Sequence, residues 1–503
     1  MRTVTGPTDH VVVVGAGLSG LSAALRLAGA GRQVTVVERD DEPGGRAGVL
    51  RRDGYVFDTG PSVLTMPGLV DDAFAAVGET TADWVDLVPV EPGYRARFHD
   101  GTELSLFHDQ PRMEQHVREV MGGEAAASYR GYVDHVTRLY QLQARHFIDR
   151  NMDGPWSVMV PDLARLAAMG GFRRLGPTAA RHLPDERLRR AFTFQSLYAG
   201  VAPQDALALY GVISYMDVVA GVWFARGGMH ALVRGLAGAA EKAGVDFRYG
   251  TTVSRVERRG RRALALRTTS GERIEGDAFV LTADLPVARR DLLGAPVRRV
   301  VRPTYSPSCW LMLAGSREPY ADPDGSPGPL HTIDFGQAWE GTFDELTGGR
   351  LMSDPSFLVT APTRLDPSLA PEGGHTYSVL FPTPHLDGEV DWAREAPAYR
   401  DHVLATLDAR GWPGFAEAIE VDDVTTPLEW QARGMEKGTP FAMAHTFRQT
   451  GPFRPRNLWG ENVALAGSGT TPGVGVPMVL VSGRLAAERI TGPDPTYRSR
   501  VWP

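Results

Sequence analysis

The sequence predicts an α/β fold in which one parallel-sheet domain is assembled from both ends of the chain and interrupted by a long insertion. Three observations predict it. Residues 11–20 read Val-Val-Val-Val-Gly-Ala-Gly-Leu-Ser-Gly. Residues 463–478 form a second strand, glycine loop and helix start, Val-Ala-Leu-Ala-Gly-Ser-Gly-Thr-Thr-Pro-Gly-Val-Gly-Val-Pro-Met. Between them, a strand-like run from Ala278 to Thr282, ending in Ala283-Asp284, resumes the first pattern after more than two hundred residues of different character.

The first strand is the run of four valines, apolar on both faces as a buried parallel strand requires. Gly15 makes the tight turn, with Ala16 and Ser19 inside the loop. Gly17 admits a pyrophosphate to the backbone, and Gly20 lets the following helix pack closely on the strand. Leu21, Ala24, Leu25 and Ala28 recur at helical spacing until Gly29 and Gly31 end the helix, so an anion is expected at its unpaired N–H groups. A second strand, Val34 to Glu38, delivers Glu38, with Arg39 beside it, to accept hydrogen bonds from an adenosine ribose. A secretory signal is the competing reading of Arg2, the apolar stretch 11–25 and Ala28-Gly-Ala30, but it leaves Glu38 without a role.

Pro43-Gly44-Gly45-Arg46-Ala47, followed by Gly54 to Phe57 and Asp58-Thr59-Gly60-Pro61-Ser62, separates flavin from nicotinamide. The glycine pair approaches more of the cofactor backbone, and Arg46 supplies a fixed cation against pyrophosphate or flavin oxygens. A cofactor held by both termini is a centrepiece, and FAD fits that role better than NAD. The fold class is therefore α/β with a discontinuous Rossmann-like FAD-binding domain, an inserted mixed α+β substrate domain and a helical subdomain. The expected divisions are 1–65, 228–300 and 455–503 for the first, 66–130, 200–227 and 301–454 for the second, and 131–199 for the third.

At 503 residues the chain exceeds one ordinary core, which implies two or three domains. Its net charge of −7 argues against nucleic-acid binding. The single cysteine, Cys309, excludes intrachain disulfides and thiolate metal sites, and reads as a small core residue; the cytoplasm is the default compartment. No apolar run is long enough for a transmembrane helix. The histidines show no metal-ligand spacing, and there is no Gly-x-Ser-x-Gly elbow.

Residues 245–256 alternate like a strand pair, followed by a basic turn and a further strand from Ala263 to Thr268; Val253 in this run is a candidate cofactor contact. The segment from Tyr129 to Arg190 is helix-biased. It sets Trp156, Met159, Leu163, Leu166, Met169 and Phe172 among arginines, and 173–190 carries six Arg against Asp185 and Glu186, a local balance of +4. Such a segment suits either a bilayer headgroup layer or a solvated helix face. Aromatic residues collect at Phe192, Phe194 and Tyr198, at Tyr210, Tyr215, Trp223 and Phe224, and at Phe441, Phe447 and Phe453. Their convergence would make a long apolar tunnel; ordinary core packing explains each cluster separately.

Taken over nearly its whole length, the chain resembles the bacterial-type phytoene desaturases, flavoproteins of the wider amine-oxidase-like group. The resemblance rests on Gly15-x-Gly17-x-x-Gly20, on Pro43 to Ala47 with Phe57 to Pro61, on Gly227-Gly228-Met229, and on the closing loop from Gly467 to Pro477. It implies FAD, a hydrophobic polyisoprenoid (carotenoid) substrate, and peripheral attachment to the membrane that dissolves that substrate, at the inner face of the cell membrane. Thr471, Val474 and Ser62 stand where family members often carry His, Ala and Thr, which leaves the product open. Isomerases and oxygenases of carotenoids, amine oxidases, and non-catalytic escorts of prenylated proteins share parts of the pattern.

Desaturation asks the protein to hold a carbon chain against the flavin, exclude water and stabilise charge. Gly475, Val476, Pro477 and Met478 open a helix whose positive end suits the pyrimidine side of the flavin. Asp217, between apolar residues, is the candidate proton acceptor. Only one dinucleotide cradle is present, so oxygen or a membrane quinone is the expected electron acceptor.

Overall fold

The computed structural model describes residues 1–295, 303–320, 328–495 and 497. The central sheet runs, in spatial order, Asp246–Arg248, Gln33–Val37, His10–Val14, Ala278–Leu281, Val463–Leu465 and Leu458–Trp459. The first five strands are parallel and the last is antiparallel. Val13 pairs with Val36 on one side and Val280 on the other, and Val280 with Ala464. The valine run divides between two cores as a period-two strand must. Val11 and Val13 face the helix layer, while Val12 and Val14 face an antiparallel meander of Val253–Arg259, Arg262–Thr268 and Arg273–Glu275. A parallel sheet covered on both faces explains why the run from Val11 to Val14 contains no polar residue.

The helix layer consists of Leu18–Gly29, Gly68–Ala75, Met229–Lys242 and Val476–Thr491. The first and last of these cross at backbone distance: the Ser22 hydroxyl donates to the Leu480 carbonyl at 2.7 Å, and a Cβ on Gly483 would lie 2.3 Å from the Ser19 carbonyl oxygen. Only glycine permits that approach. Helix Gly68–Ala75 thus packs with this layer, although the division drawn from sequence placed 66–130 in the substrate domain. The division at 300/301 lies outside the described residues.

A second correction concerns 245–256. Its two strands do not pair with each other: Asp246–Arg248 extends the parallel sheet beside Gln33–Val37, and Val253–Arg259 opens the meander. Alternation identifies a strand but not its partner.

The other large sheet has seven strands, in the order Ile419–Thr425, Ser308–Ser316, His375–Thr383, Phe357–Thr360, His331–Phe335, Tyr94–Phe98 and Glu103–Leu106. Ser308–Ser316, buried along all nine residues, includes Cys309 as a core residue. Helices Gly123–Gln143, Pro161–Ala168, Leu175–His182 and Glu186–Ala191 occupy the helix-biased segment.

Half of the excess positive charge there is answered by carboxylates from other segments, Asp100 and Asp205. Arg187 pairs with Asp185 and Asp100, and Arg174 with Asp205. The buried Arg190 pairs with Glu186, and Arg189 donates to the Leu183 and Pro184 carbonyls. These arginines hold the subdomain together.

No helix is long and apolar enough to cross a membrane, among the described residues. Gly483→Ala is expected to lower stability by about 1–3 kcal/mol, because the added carbon meets backbone that only a helix displacement can move; the shift in urea midpoint measures it.

Candidate cofactor and substrate site

Helix Leu18–Gly29 starts without a side-chain cap, and the Leu21 N–H is the first to bond inside it, to the Gly17 carbonyl at 2.9 Å. The preceding N–H groups are left for an anion. Gly15, at φ 105°, leaves room for the Thr282 hydroxyl, which would lie 2.3 Å from an added Cβ, while a Cβ on Gly20 would meet the Gly15 carbonyl at 2.0 Å. Gly20 therefore serves the helix–turn contact and does not wall the cavity. Ala16 also stands behind the wall: its N–H donates to one Glu38 carboxylate oxygen at 2.6 Å, and the Asp40 N–H donates to the other at 3.0 Å. The Glu38 carboxylate is thereby aimed with lone pairs to spare.

The Pro-Gly-Gly-Arg loop docks on this turn. The Gly44 N–H donates to the Ala16 carbonyl at 3.1 Å, and Gly44 bridges to Gly17. Asp58 holds a third segment in place: its two carboxylate oxygens accept the Met229 and His230 N–H groups at 2.7 and 2.9 Å, capping helix Met229–Lys242. The His230 Nε2–H in turn donates to the Pro43 carbonyl at 2.8 Å. Burial raises the Asp58 carboxyl to about 6, against the two N–H bonds that favour its charge. Asp58, Gly227-Gly228-Met229 and Pro43 are thus one hydrogen-bonded unit.

A cavity of about 1690 Å³ begins at this cradle and continues through the molecule. Gly15, Gly17, Ser19, Glu38, Arg39, Gly45, Arg46, Gly60, Pro61, Ser62, Val253, Gly467, Gly475, Val476, Pro477 and Met478 line it, and so does Asp217. Arg46 is fixed between Asp284, 3.2 Å away, and the Pro440 carbonyl, 2.9 Å away. The closing helix Val476–Thr491 also starts uncapped, at Gly475, so two helix N-termini open on the same space. These donors, with the Glu38 acceptor at the far end, fit a dinucleotide such as FAD.

Beyond the cradle the wall becomes apolar. Phe194, Tyr198, Tyr210, Phe441, Phe447 and Phe453 line it, together with Leu163, Leu166 and Phe172. Phe192, Tyr215, Trp223 and Phe224 do not; Tyr215 stacks on Tyr140 at 4.1 Å and Phe192 and Phe224 are in the core. Of the lining residues, Met159 (64%), Phe447 (54%), Phe453 (51%) and Phe172 (40%) are exposed, with the Phe447 ring 6.3 and 5.8 Å from those of Phe172 and Phe453; Trp156 (86%), between the lining residues Pro155 and Val158, is exposed beside them.

Asp217 is buried in this wall, within the wide turn Tyr215–Val219. The Tyr94 hydroxyl, 3.5 Å away, is a long-range donor to it and also pairs with Tyr198. Burial raises its carboxyl to about 7, a shift that Tyr94 only partly offsets.

Sequence reasoning missed His445, a cavity-lining residue. The Thr450 hydroxyl donates to the Thr446 carbonyl at 2.7 Å, so it accepts from the Tyr210 O–H at 2.7 Å, and the Tyr210 oxygen accepts from His445 Nδ1–H at 2.9 Å. Nε2 has no partner among the described residues. Burial and the nearby Arg454 hold the imidazole well below its usual range, hence neutral. Asp284, the partner of Arg46, was legible only as a strand end. No group of metal-ligating side chains occurs among the described residues.

The model for flavin containing amine oxidoreductases matches residues 18–491. The chain belongs to that family. It is an FAD-dependent oxidoreductase and, within the family, one of the bacterial-type carotenoid desaturases. A phytoene dehydrogenase from Streptomyces griseus is 56% identical over 98% of this chain and 97% of its own length. A zeta-carotene-forming phytoene desaturase from Myxococcus xanthus is 36% identical, over 96% and 93%. A lycopene-forming phytoene desaturase from a Paracoccus strain is 31% identical, over 95% and 96%.

Among solved structures, cyclohexylamine oxidase from Brevibacterium oxydans shares the fold with a TM-score of 0.61 at 16% identity, over 96% of this chain and 99% of that one. A Rab GDI from Plasmodium falciparum does so with a TM-score of 0.55 at 10%, over 96% and 98%. The same architecture is therefore shared by an amine oxidase and a Rab GDI, and the site must carry the function. Glu38→Gln, which places an amide where two N–H groups need acceptors, should weaken FAD retention about tenfold to a hundredfold, as loss of a charge-assisted hydrogen bond does; flavin release on dilution reads it out.

Proposed function

We propose that this oxidoreductase desaturates a linear carotenoid, phytoene in the simplest case, to lycopene or to partly desaturated intermediates. The observation that carries this reading is the continuity of one cavity from the nucleotide cradle to an aromatic-lined, apolar channel. A small amine would need a short cage, and an escort protein has no use for an intact pyrophosphate cradle. The curated relatives act on phytoene or form its desaturated products by name, which supports the substrate class.

FAD bound in the cradle supplies the two-electron acceptor for the hydride. The chain's own residues hold the polyene along the Phe194, Tyr198 and Tyr210 wall, exclude water and take the second hydrogen as a proton. Asp217 is the proposed acceptor of that proton. With its carboxyl raised to about 7, it is ionised and competent only above that value. The exposed apolar rim, Trp156, Met159, Phe172, Phe447 and Phe453, is the proposed membrane-contacting surface, at the inner face of the cell membrane, from which the substrate enters. Oxygen or a membrane quinone is the proposed terminal acceptor.

Expression in a phytoene-accumulating host should convert phytoene into longer-conjugated pigments, seen by chromatography; stoichiometric flavin with unchanged phytoene would defeat the substrate assignment. Asp217→Asn should lower kcat about a hundredfold and remove a limb in which activity rises with pH through about 7; full turnover would make Asp217 structural. Replacing Trp156 and Phe447 by Ser should release the protein from sedimenting liposomes while flavin content stays intact.

A further inference from the structure

Four arginines in the described structure are almost completely buried: Arg190, Arg454, Arg484 and Arg489. Three have carboxylate partners, Arg190 with Glu186, Arg484 with Asp149 and Glu488, and Arg489 with Asp153. Arg454, 3% exposed, forms no ion pair with any described residue. Its Nε donates to the Thr470 carbonyl at 3.0 Å, and Nη1 to the Gln449 carbonyl at 3.2 Å. Nη2 donates to the Ser468 and Met443 carbonyls at 2.6 and 3.3 Å. The titratable groups beside it are neutral: His445 by burial and by the Arg454 charge, and Tyr210 as a phenol raised by burial. A buried cation is costly to keep unless an anion answers it. Here the protein itself provides only peptide oxygens.

The position of those oxygens shows where the anion is expected. Ser468 and Thr470 belong to the glycine loop whose residues Gly467, Ser468 and Gly469 wall the cofactor end of the cavity. Met443 and Gln449 flank the segment that places His445 and Phe447 on the channel wall. Arg454 thus ties the cofactor loop to the substrate channel at their junction, which is where a flavin ring must lie to meet the substrate. A hydride delivered there brings two electrons with only one proton, so negative charge accumulates beside this cation.

We propose that Arg454 is a positioning residue for the flavin, holding the 468–470 loop by its carbonyls and stabilising, through its fixed charge, the anionic form of the two-electron-reduced ring. The inference rests on the cofactor placement described above. It concerns the cofactor's potential and not the identity of the carotenoid.

The test is the midpoint potential of the flavin in purified holoprotein, measured by dye equilibration for wild type, R454Q and R454K. R454Q should bind the reduced cofactor at least tenfold less tightly relative to the oxidised, a fall of about 30 mV for a two-electron couple. R454K, which restores charge with fewer donors, should recover most of the shift. Bound flavin with wild-type potential in R454Q, or equal shifts in both variants, overturns the proposal. Should the variants lose flavin, the wild type decides alone: a potential falling about 30 mV per pH unit near neutrality marks uptake of one proton with two electrons and supports it, whereas about 59 mV marks two protons and overturns it. Wild-type protein without stoichiometric flavin would refute the cofactor reading itself, and this inference with it.

Discussion

Everything in the site depends on two helices, from opposite ends of the chain, approaching until their backbones touch. Helix Leu18–Gly29 and helix Val476–Thr491 meet at Gly483, Ser19 and Ser22, and both open their unpaired N–H groups on one cavity. Neither terminus makes a cofactor site alone. Each contributes half of a field that favours negative charge, and the small residues at the crossing allow the two halves to overlap. The sheet beneath is ordered to make this possible, since Ala278–Leu281 sits between the first strand and the last.

Around that crossing, burial is used for two opposite purposes. Arg484 and Arg489, with Asp149, Glu488 and Asp153, fasten the closing helix to the segment that follows helix Gly123–Gln143. Those charges are neutralised within the protein and act as structural ties. Asp58 acts similarly, with its carboxylate answered by the N-terminus of Met229–Lys242. Asp217, His445 and Arg454 are different, because they are buried with incomplete or neutral partners and sit along the one cavity or immediately behind its wall. Under-compensated polar groups are costly to fold, and their concentration at the junction of cradle and channel is what a site for charge transfer requires.

The parts of this structure that were legible in the sequence are those fixed by local backbone chemistry. The valine run, the Gly15, Gly17 and Gly20 spacing, Glu38 after the second strand, and Pro477 at a helix start each report a conformation that few other residues permit. What was not legible depends on partners far apart in the chain. The strands of 245–256 alternate correctly but join different sheets. The arginines of 173–190 read as a surface charge until the fold supplies Asp100, Asp205 and the Gly336 carbonyl. His445 and Arg454 carry no motif; their environment is created by segments 199–210, 443–450 and 468–473, which meet only in three dimensions.

The strand Val463–Leu465 and the helix after it have a consequence for how the protein is made. They lie far along the chain from the first strand, yet they supply an inner strand of the sheet, the second helix N-terminus on the cavity and the partner of the first helix. A nascent chain therefore holds an incomplete pocket until these residues are translated, after most of the residues that line the apolar channel. The two-sided anion cradle therefore exists only once both helices are made and have met, so flavin affinity and the docking of the closing helix are one event.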